Sequence, residues 1–265
     1  MSAPLITIAM PVYSAEATVA EAIDSVLKQT FADFELLIVD DGSKDETLKV
    51  VKLFSDPRIV LISDGAHRGI AARLNQMIEM ARGEYFARMD ADDIMFPHRL
   101  EKQLAFLRLH TEADVVGSKA VTFSDKLGVI IEELKVSRLE SGFAKVDRLT
   151  HPTVMGKTEW FRKHRYNEKY SGCEDYELWL RVRNEATLLE MQEPLLYYRE
   201  RMRYNVSRVW RERFTGLRLI WQERQLFGSL WNVIAQTLNN MGVMLVVPVI
   251  HLLHLDKLVI SRRVR

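Results

Sequence analysis

The sequence predicts an α/β protein, with a mostly parallel central sheet flanked by helices and a helical extension at the C-terminus. Three observations lead there. Short apolar, β-branched runs alternate with amphipathic helical patterns through the first half, joined by short connections, which is the signature of right-handed βαβ units. Three of the apolar runs end in polar signatures, PVYSAE, VDDGS and MDADD, at the strand ends where ligands of such sheets bind. The last sixty residues lose this alternation and become a basic, Trp-bearing, then uncharged apolar stretch.

Each element follows from its pattern. LITIAMPV (5–12) reads as a buried strand, and AEATVAEAIDSVLKQ as a helix with Val19, Ile23 and Val26 on one face. FELLIVDDGS (34–43) is a second strand entering a turn, DETLKVVKLF a helix, RIVLI (58–62) a third strand, GIAARLNQMIEMARG a helix ending at Gly83, and EYFARMD a fourth strand. Past Pro97, HRLEKQLAFLRLH reads as a helix and ADVVGSKAVTF and GVIIEELKV as strands. HPTVMGKTEWFRKHRYNEKYSGCED reads as an aromatic loop region, YELWLRVRNEA as a helix, and TLLEM and PLLYYRER as two short strands. No repeat or Pro/Gly-rich linker divides the chain, so residues 1–204 form one domain, halved at 96/97, and 205–265 form the extension.

Composition narrows the function. The formal net charge of +1 argues against general nucleic-acid binding, and a single cysteine, Cys173, excludes an intramolecular disulfide and a Cys-rich metal site. No Lys or Arg precedes Lys28, so a basic signal-peptide n-region is missing and a cytoplasmic catalytic part is expected. From Arg199 onward the chain carries a net +8, which leaves about −7 for the rest. Trp210, Phe214, Leu217 and Trp221 recur at helical spacing among arginines, and from Phe227 to Leu255 there is no charged residue. The densest apolar part, GVMLVVPVI, falls short of the ~20 residues that span a bilayer. The pattern fits a peripheral helix on an anionic membrane surface, or one packed on the core or on a second copy of the chain in a homodimer.

The carboxylates carry the chemistry. Asp90 and Asp92 lie two apart at a strand end, with Asp93 beside them. Like charges so close call for a cation, and oxygen-only ligands favour Mg2+ or Mn2+; capping of the following helix is the plainer alternative. Asp40 and Asp41 close a second strand on the same edge, where a carboxylate can accept a pyrimidine N–H or cap a helix, and Tyr13 offers an aromatic face to a base. No GxGxxG or GxxxxGK[ST] loop is present to hold phosphates. Glu174 and Asp175 precede YELWLRV, where acids also favour a helix N-terminus. His151 and His164 belong to no His-x-x-x-His pair and read as structural or acceptor-lining.

In order and spacing, ITIAMPVYSAE, VLKQTFADFELLIVDDGSKDET, RGIAARLNQMIEMARGEY, ARMDADDIMFPHRLEKQ and CEDYELWLR resemble the family 2 glycosyltransferases, across residues 5–200. The resemblance implies a GT-A, Rossmann-like fold and an inverting transferase of bacterial cell-surface polysaccharide or lipopolysaccharide synthesis. It implies that Pro11 and Tyr13 line the base pocket, that Asp41 accepts from a uracil N–H, and that Glu16 and Arg68 make further nucleotide contacts. Asp90 would face the ribose and Asp92 the metal on the diphosphate, with Asp93 assisting, while Asp175 of the Glu174–Asp175 pair would be the general base. Many relatives carry a His after the Tyr-Arg pair. Here YYRERMRYNVSR has none, and Arg199 or Arg201 could bind the diphosphate instead, or, with Arg203, begin a membrane-facing surface.

Three rivals remain on residues alone. A haloacid-dehalogenase-type phosphatase also uses a DxD after a strand, but its DxD ends the first strand, and here Ile94 stands where it has Thr or Val. A sugar-phosphate nucleotidyltransferase needs a Gly-rich loop after the first strand, and PVYSAE has no Gly. A non-catalytic membrane-bound scaffold would not need every expected carboxylate, and all are present.

Overall fold

The structure is a computed structural model, and residues 3–123, 142–200 and 206–252 are described. Four parallel strands form one half of the sheet: β1 (Ile6–Val12), β2 (Phe34–Asp40), β3 (Ile59–Ser63) and β4 (Tyr85–Arg88), in spatial order β3-β2-β1-β4. In-register pairing sets Val12 beside Asp40 and Ala9 beside Arg88, so the polar ends of β1, β2 and β4 gather at one edge. Ile8, Leu36 and Ile38 are fully buried. Each contributes ~1.5–3 kcal/mol, which is why these runs are apolar on both faces.

The helices between them cover both faces. Val19, Ile23 and Val26 of α1 (Val19–Leu27) and Val51 of α2 (Thr47–Val51) join one core cluster, with Leu100, Leu104 and Leu107 of α4 (Arg99–Leu109). Leu74, Met77 and Ile78 of α3 (Ile70–Met80) join the other, on the opposite face, with Leu178 and Trp179. Gly83 permits the tight approach before β4, because a Cβ there would lie 2.5 Å from Thr7 N.

The second half departs from the expected order. β5 (Ile94–Met95), β6 (Val115–Phe123), β7 (Phe143–Lys145), β8 (Met155–Lys157) and β9 (Leu188–Arg199) extend the sheet as β4-β8-β6-β9-β5, with β7 on β9. β8 runs antiparallel between β4 and β6, so the sheet is mixed. TLLEM and PLLYYRER, expected as separate strands, are one twelve-residue strand whose register with β6 shifts between Ser118 and Ala120. Gln192, Glu193 and Leu195 have no partner on β6 there, and Pro194, which has no N–H, sits at this irregularity. The region expected as loop holds β8 and α5 (Thr158–Lys163). GVIIEELKV lies outside the described residues.

α6 (Glu174–Val182) is followed, after β9, by α7 (Val206–Gln222) and α8 (Leu230–Leu252). The apolar stretch is longer than its densest part suggested. α8 runs 23 residues through Pro248 and is long and apolar enough, by length and composition only, to cross a membrane.

Candidate active site

At the end of β2 the carboxylate of Asp41 lies over the N-terminus of α3. It accepts from the amides of Arg68 (2.7 Å) and Gly69 (3.0 Å), and from Nε of Arg73 (2.9 Å). Gly69, with φ +86°, supplies the left-handed backbone that turns its N–H to this acceptor. Arg73 is fully buried and its guanidinium also bonds Asp64, whose carboxyl it holds well below the usual range. His67 Nδ1 lies 2.9 Å from Asp41 and its ring 4.6 Å from that of Tyr13, which is half exposed. Pro11 is partly exposed beside them, and the Arg68 guanidinium pairs with Asp64 at 2.6 Å. Glu16 is exposed, and its carboxylate accepts from Glu46 N–H (2.8 Å) at the start of α2.

At the end of β4, Arg88 holds Asp90 through two bonds, 2.8 and 2.5 Å long. Asp90, Asp92 and Asp93 bring one carboxylate oxygen each within 4.8 Å of one another. Asp93 is buried; its Oδ1 accepts from Arg199 N–H at 2.9 Å, and its Oδ2 has no partner. Burial, then the charge of Asp90, pushes its carboxyl up to about 8. An orphaned buried carboxylate oxygen among three hard oxygen donors fits a divalent cation, whose charge would relieve both penalties. Arg199, expected at the diphosphate, clamps this turn: its Nε donates to Asp92 O (2.6 Å), it pairs with Glu21, and its guanidinium lies 4.4 Å from the Phe123 ring centroid. Arg201 and Arg203 lie outside the described residues.

Glu174 and Asp175 open α6. Glu174 is buried and accepts from Gly172 N–H at 2.5 Å. Burial, then the charge of Asp175, pushes its carboxyl up to about 7. Burial also raises Asp175, against a 2.7 Å bond from Tyr176 N–H and the charge of Arg88. Arg88 is itself 3% exposed; it pairs with Asp90, and its charge also reaches Asp93, Glu174 and Asp175. His151 pairs with the Tyr166 hydroxyl at 2.8 Å and is buried, and burial holds it well below the usual imidazole value. His164 packs on Trp160 at 4.6 Å.

Sequence reasoning missed Arg88, Arg73 and His67. A trace was there, since Arg88 is the one charge before the aspartates in the strand run YFARM, and Arg73 stands among the apolar positions of α3.

Four likenesses complete the picture. The profile of the Glycosyl transferase family 2 matches residues 7–168. The chain is 37% identical over 207 residues to the "Putative glycosyltransferase EpsE" of Bacillus subtilis, over 75% of this chain and 74% of that one. It is 31% identical over 204 residues to the "O-antigen biosynthesis glycosyltransferase WbnJ" of Escherichia coli, over 74% of this chain and 79% of that one. Among solved structures, S. aureus TarS 1–349 in complex with UDP-GlcNAc superimposes with a TM-score of 0.62 at 19% identity, over 92% of this chain and 80% of that one. That likeness is one of fold, and the fold is the GT-A arrangement of a central sheet flanked by helices.

Proposed function

The chain belongs to glycosyl transferase family 2, and on that premise we propose that it is an inverting, metal-dependent hexosyl- or N-acetylhexosaminyltransferase. It moves a sugar from a UDP-sugar to a hydroxyl of a saccharide or lipid-linked saccharide in surface polysaccharide or lipopolysaccharide synthesis. The observation that carries this reading is the carboxylate triad at the end of β4, its ligand oxygens within 4.8 Å of one another, with the buried Arg88 paired to Asp90 beside it. The names of WbnJ, an O-antigen enzyme, and of TarS, bound to UDP-GlcNAc, support the class of product and donor.

Tyr13, with Pro11 beside it, takes the base on its exposed face, and Asp41, anchored by Arg73, accepts from the pyrimidine N–H. Asp90, Asp92 and Asp93 would hold Mn2+ or Mg2+, which supplies positive charge for the diphosphate leaving group. Arg88 keeps Asp90 in place, and Arg199 holds the turn through the Asp92 carbonyl. Asp175 accepts the proton of the acceptor hydroxyl as its oxygen bonds the anomeric carbon, and the electron pair of the broken C–O bond leaves with the nucleoside diphosphate. The raised pKa of Asp175 makes it a stronger base than a solvated carboxylate. A single displacement inverts the anomeric centre. The basic, Trp-bearing C-terminal region meets an anionic membrane, which places the enzyme peripherally on the cytoplasmic face of the inner membrane.

Calorimetric titration with UDP, dTDP and GDP, each with and without Mn2+, tests the reading. Metal-dependent binding of UDP, lost in Asp92→Ala, is the expected result. Folded protein that binds none of the three would overturn it.

A further inference from the structure

α8 carries no Asp, Glu, Lys or Arg, and its most apolar eighteen residues average a hydropathy of 1.7, so length and composition alone would let it cross a bilayer. Its packing points elsewhere. Val233, Asn240 and Val247, seven residues apart, are its buried line. That line meets α7 in antiparallel register. Ile220 clusters with Val233, Arg213 Nη1 donates to Asn240 Oδ1 at 3.4 Å, and Trp210 Nε1 donates to Met244 O at 3.0 Å. Gly216 allows the helices to close, since a Cβ there would lie 3.2 Å from Asn240 Oδ1.

α7 is in turn fastened to the segment that carries Glu174 and Asp175. The Cys173 thiol donates to Glu212 O at 3.3 Å, and the Tyr170 hydroxyl lies 3.2 Å from Gln222 Oε1 and 3.0 Å from Glu223 Oε1. To span, α8 would have to leave α7 or draw the charges of α7 into hydrocarbon with it, and charged residues at membrane depth are strongly disfavoured.

The opposite faces are apolar and open. On α8, Trp231, Leu238, Leu245 and Leu252 also recur every seven residues and are 79, 64, 72 and 78% exposed. On α7, Trp210, Phe214 and Trp221 are exposed together with Arg211 and Arg218. The segment from Arg199 to Arg265 carries a net +8, so a second copy would set two such segments against each other, whereas anionic lipid complements them.

We propose that the α7–α8 hairpin is an in-plane membrane-docking element: α8 lies flat in the interface of an anionic bilayer, with the line Trp231–Leu238–Leu245–Leu252 at the acyl boundary, and does not cross it. This rests on the reading above that the C-terminal region meets an anionic membrane, and states how. Because α8 packs on α7 and α7 on the base segment, docking fixes which side of the catalytic domain faces the lipid, where an acceptor sugar carried on a lipid arrives.

Nitroxide labels at Trp231→Cys, Leu238→Cys, Leu245→Cys and Leu252→Cys, one at a time in full-length Cys173→Ser protein, test this by power saturation on phosphatidylglycerol/phosphatidylcholine vesicles. Equal, shallow depths at all four positions, lost on pure phosphatidylcholine, are expected. The double variant Leu238→Glu/Leu245→Glu should leave the vesicles. Deep labels at 238 and 245 with 231 and 252 near opposite surfaces would overturn the proposal in favour of a span. Absence of insertion would overturn it too, and dipolar broadening between labels would then assign the stripe to a second copy. UDP calorimetry on the same protein without vesicles reports the transferase reading separately, so either can fail alone.

Discussion

Replacing Glu174 by Gln removes a charge that the fold buries at a cost. Glu174 is 6% exposed, and burial together with the charge of Asp175 raises its carboxyl from 4.5 to about 7. A rise of that size corresponds to ~3 kcal/mol between the two protonation states. The folded-state value lies above the unfolded one, so the contribution to stability is complete below pH 4.5 and is lost as pH rises to about 7. Gln retains an oxygen for the Gly172 N–H but carries no charge. Urea unfolding followed by Trp fluorescence, in EDTA, should therefore find the two proteins within ~0.5 kcal/mol of each other near pH 4.5, and Glu174→Gln more stable by ~3 kcal/mol near pH 8. At roughly 2–4 °C per kcal/mol for a chain of this size, the melting temperature should separate by about 6–12 °C at the higher pH. The same offset at both pH values, or a variant less stable at pH 8, would show that Glu174 ionises in the fold without penalty and would refute the reasoning.

Asp175→Asn should bind UDP as the parent does and lose transfer by ~10²–10⁴-fold, the usual size of a general-base contribution, read by donor consumption with acceptor present; unimpaired transfer would move the base elsewhere. Arg199→Ala removes the donor to Asp92 O and the partner of Glu21, so it should lower stability by ~1–3 kcal/mol and weaken Mn2+ binding, measured by urea unfolding and Mn2+ titration. Arg73→Met strips Asp41 and Asp64 of their buried guanidinium and should destabilise by ~3–5 kcal/mol, with UDP affinity falling in whatever protein still folds; calorimetry of the folded fraction checks the second part.

Much of the candidate site could be read along the chain because strand ends are local events. An apolar run that stops at Asp40-Asp41, or at Asp90, announces both the strand and the side chain at its carboxyl end, and in-register pairing of β1 with β2 and β4 brings those ends together. The partners of these aspartates were another matter. Asp41 and Arg73 are 32 positions apart, and Asp92 and Arg199 are 107 apart, so no periodicity links them. Arg199 stood out as a cation suited to phosphate; that its guanidinium also reaches the Asp92 carbonyl is a contact composition cannot reveal. Sheet order past β4 was equally hidden. The three-residue strand β8 has too little pattern to recognise, and it makes the sheet mixed only by inserting between β4 and β6.

By itself the sequence determined the alternation of strands and helices to Met89, the family, the carboxylates at the strand ends, and the division between an acidic front and a basic tail. These depend on side-chain identity at short spacing, where a period of two or 3.6 is enough to assign a face. Only the tertiary structure decided that Arg88 is buried, that β9 is one bulged strand, and that α8 lies against α7 with a second apolar line left open. Each of these is a contact between segments distant along the chain, and the free energy of burying a charge or an apolar face depends on what packs there, which a local pattern does not specify.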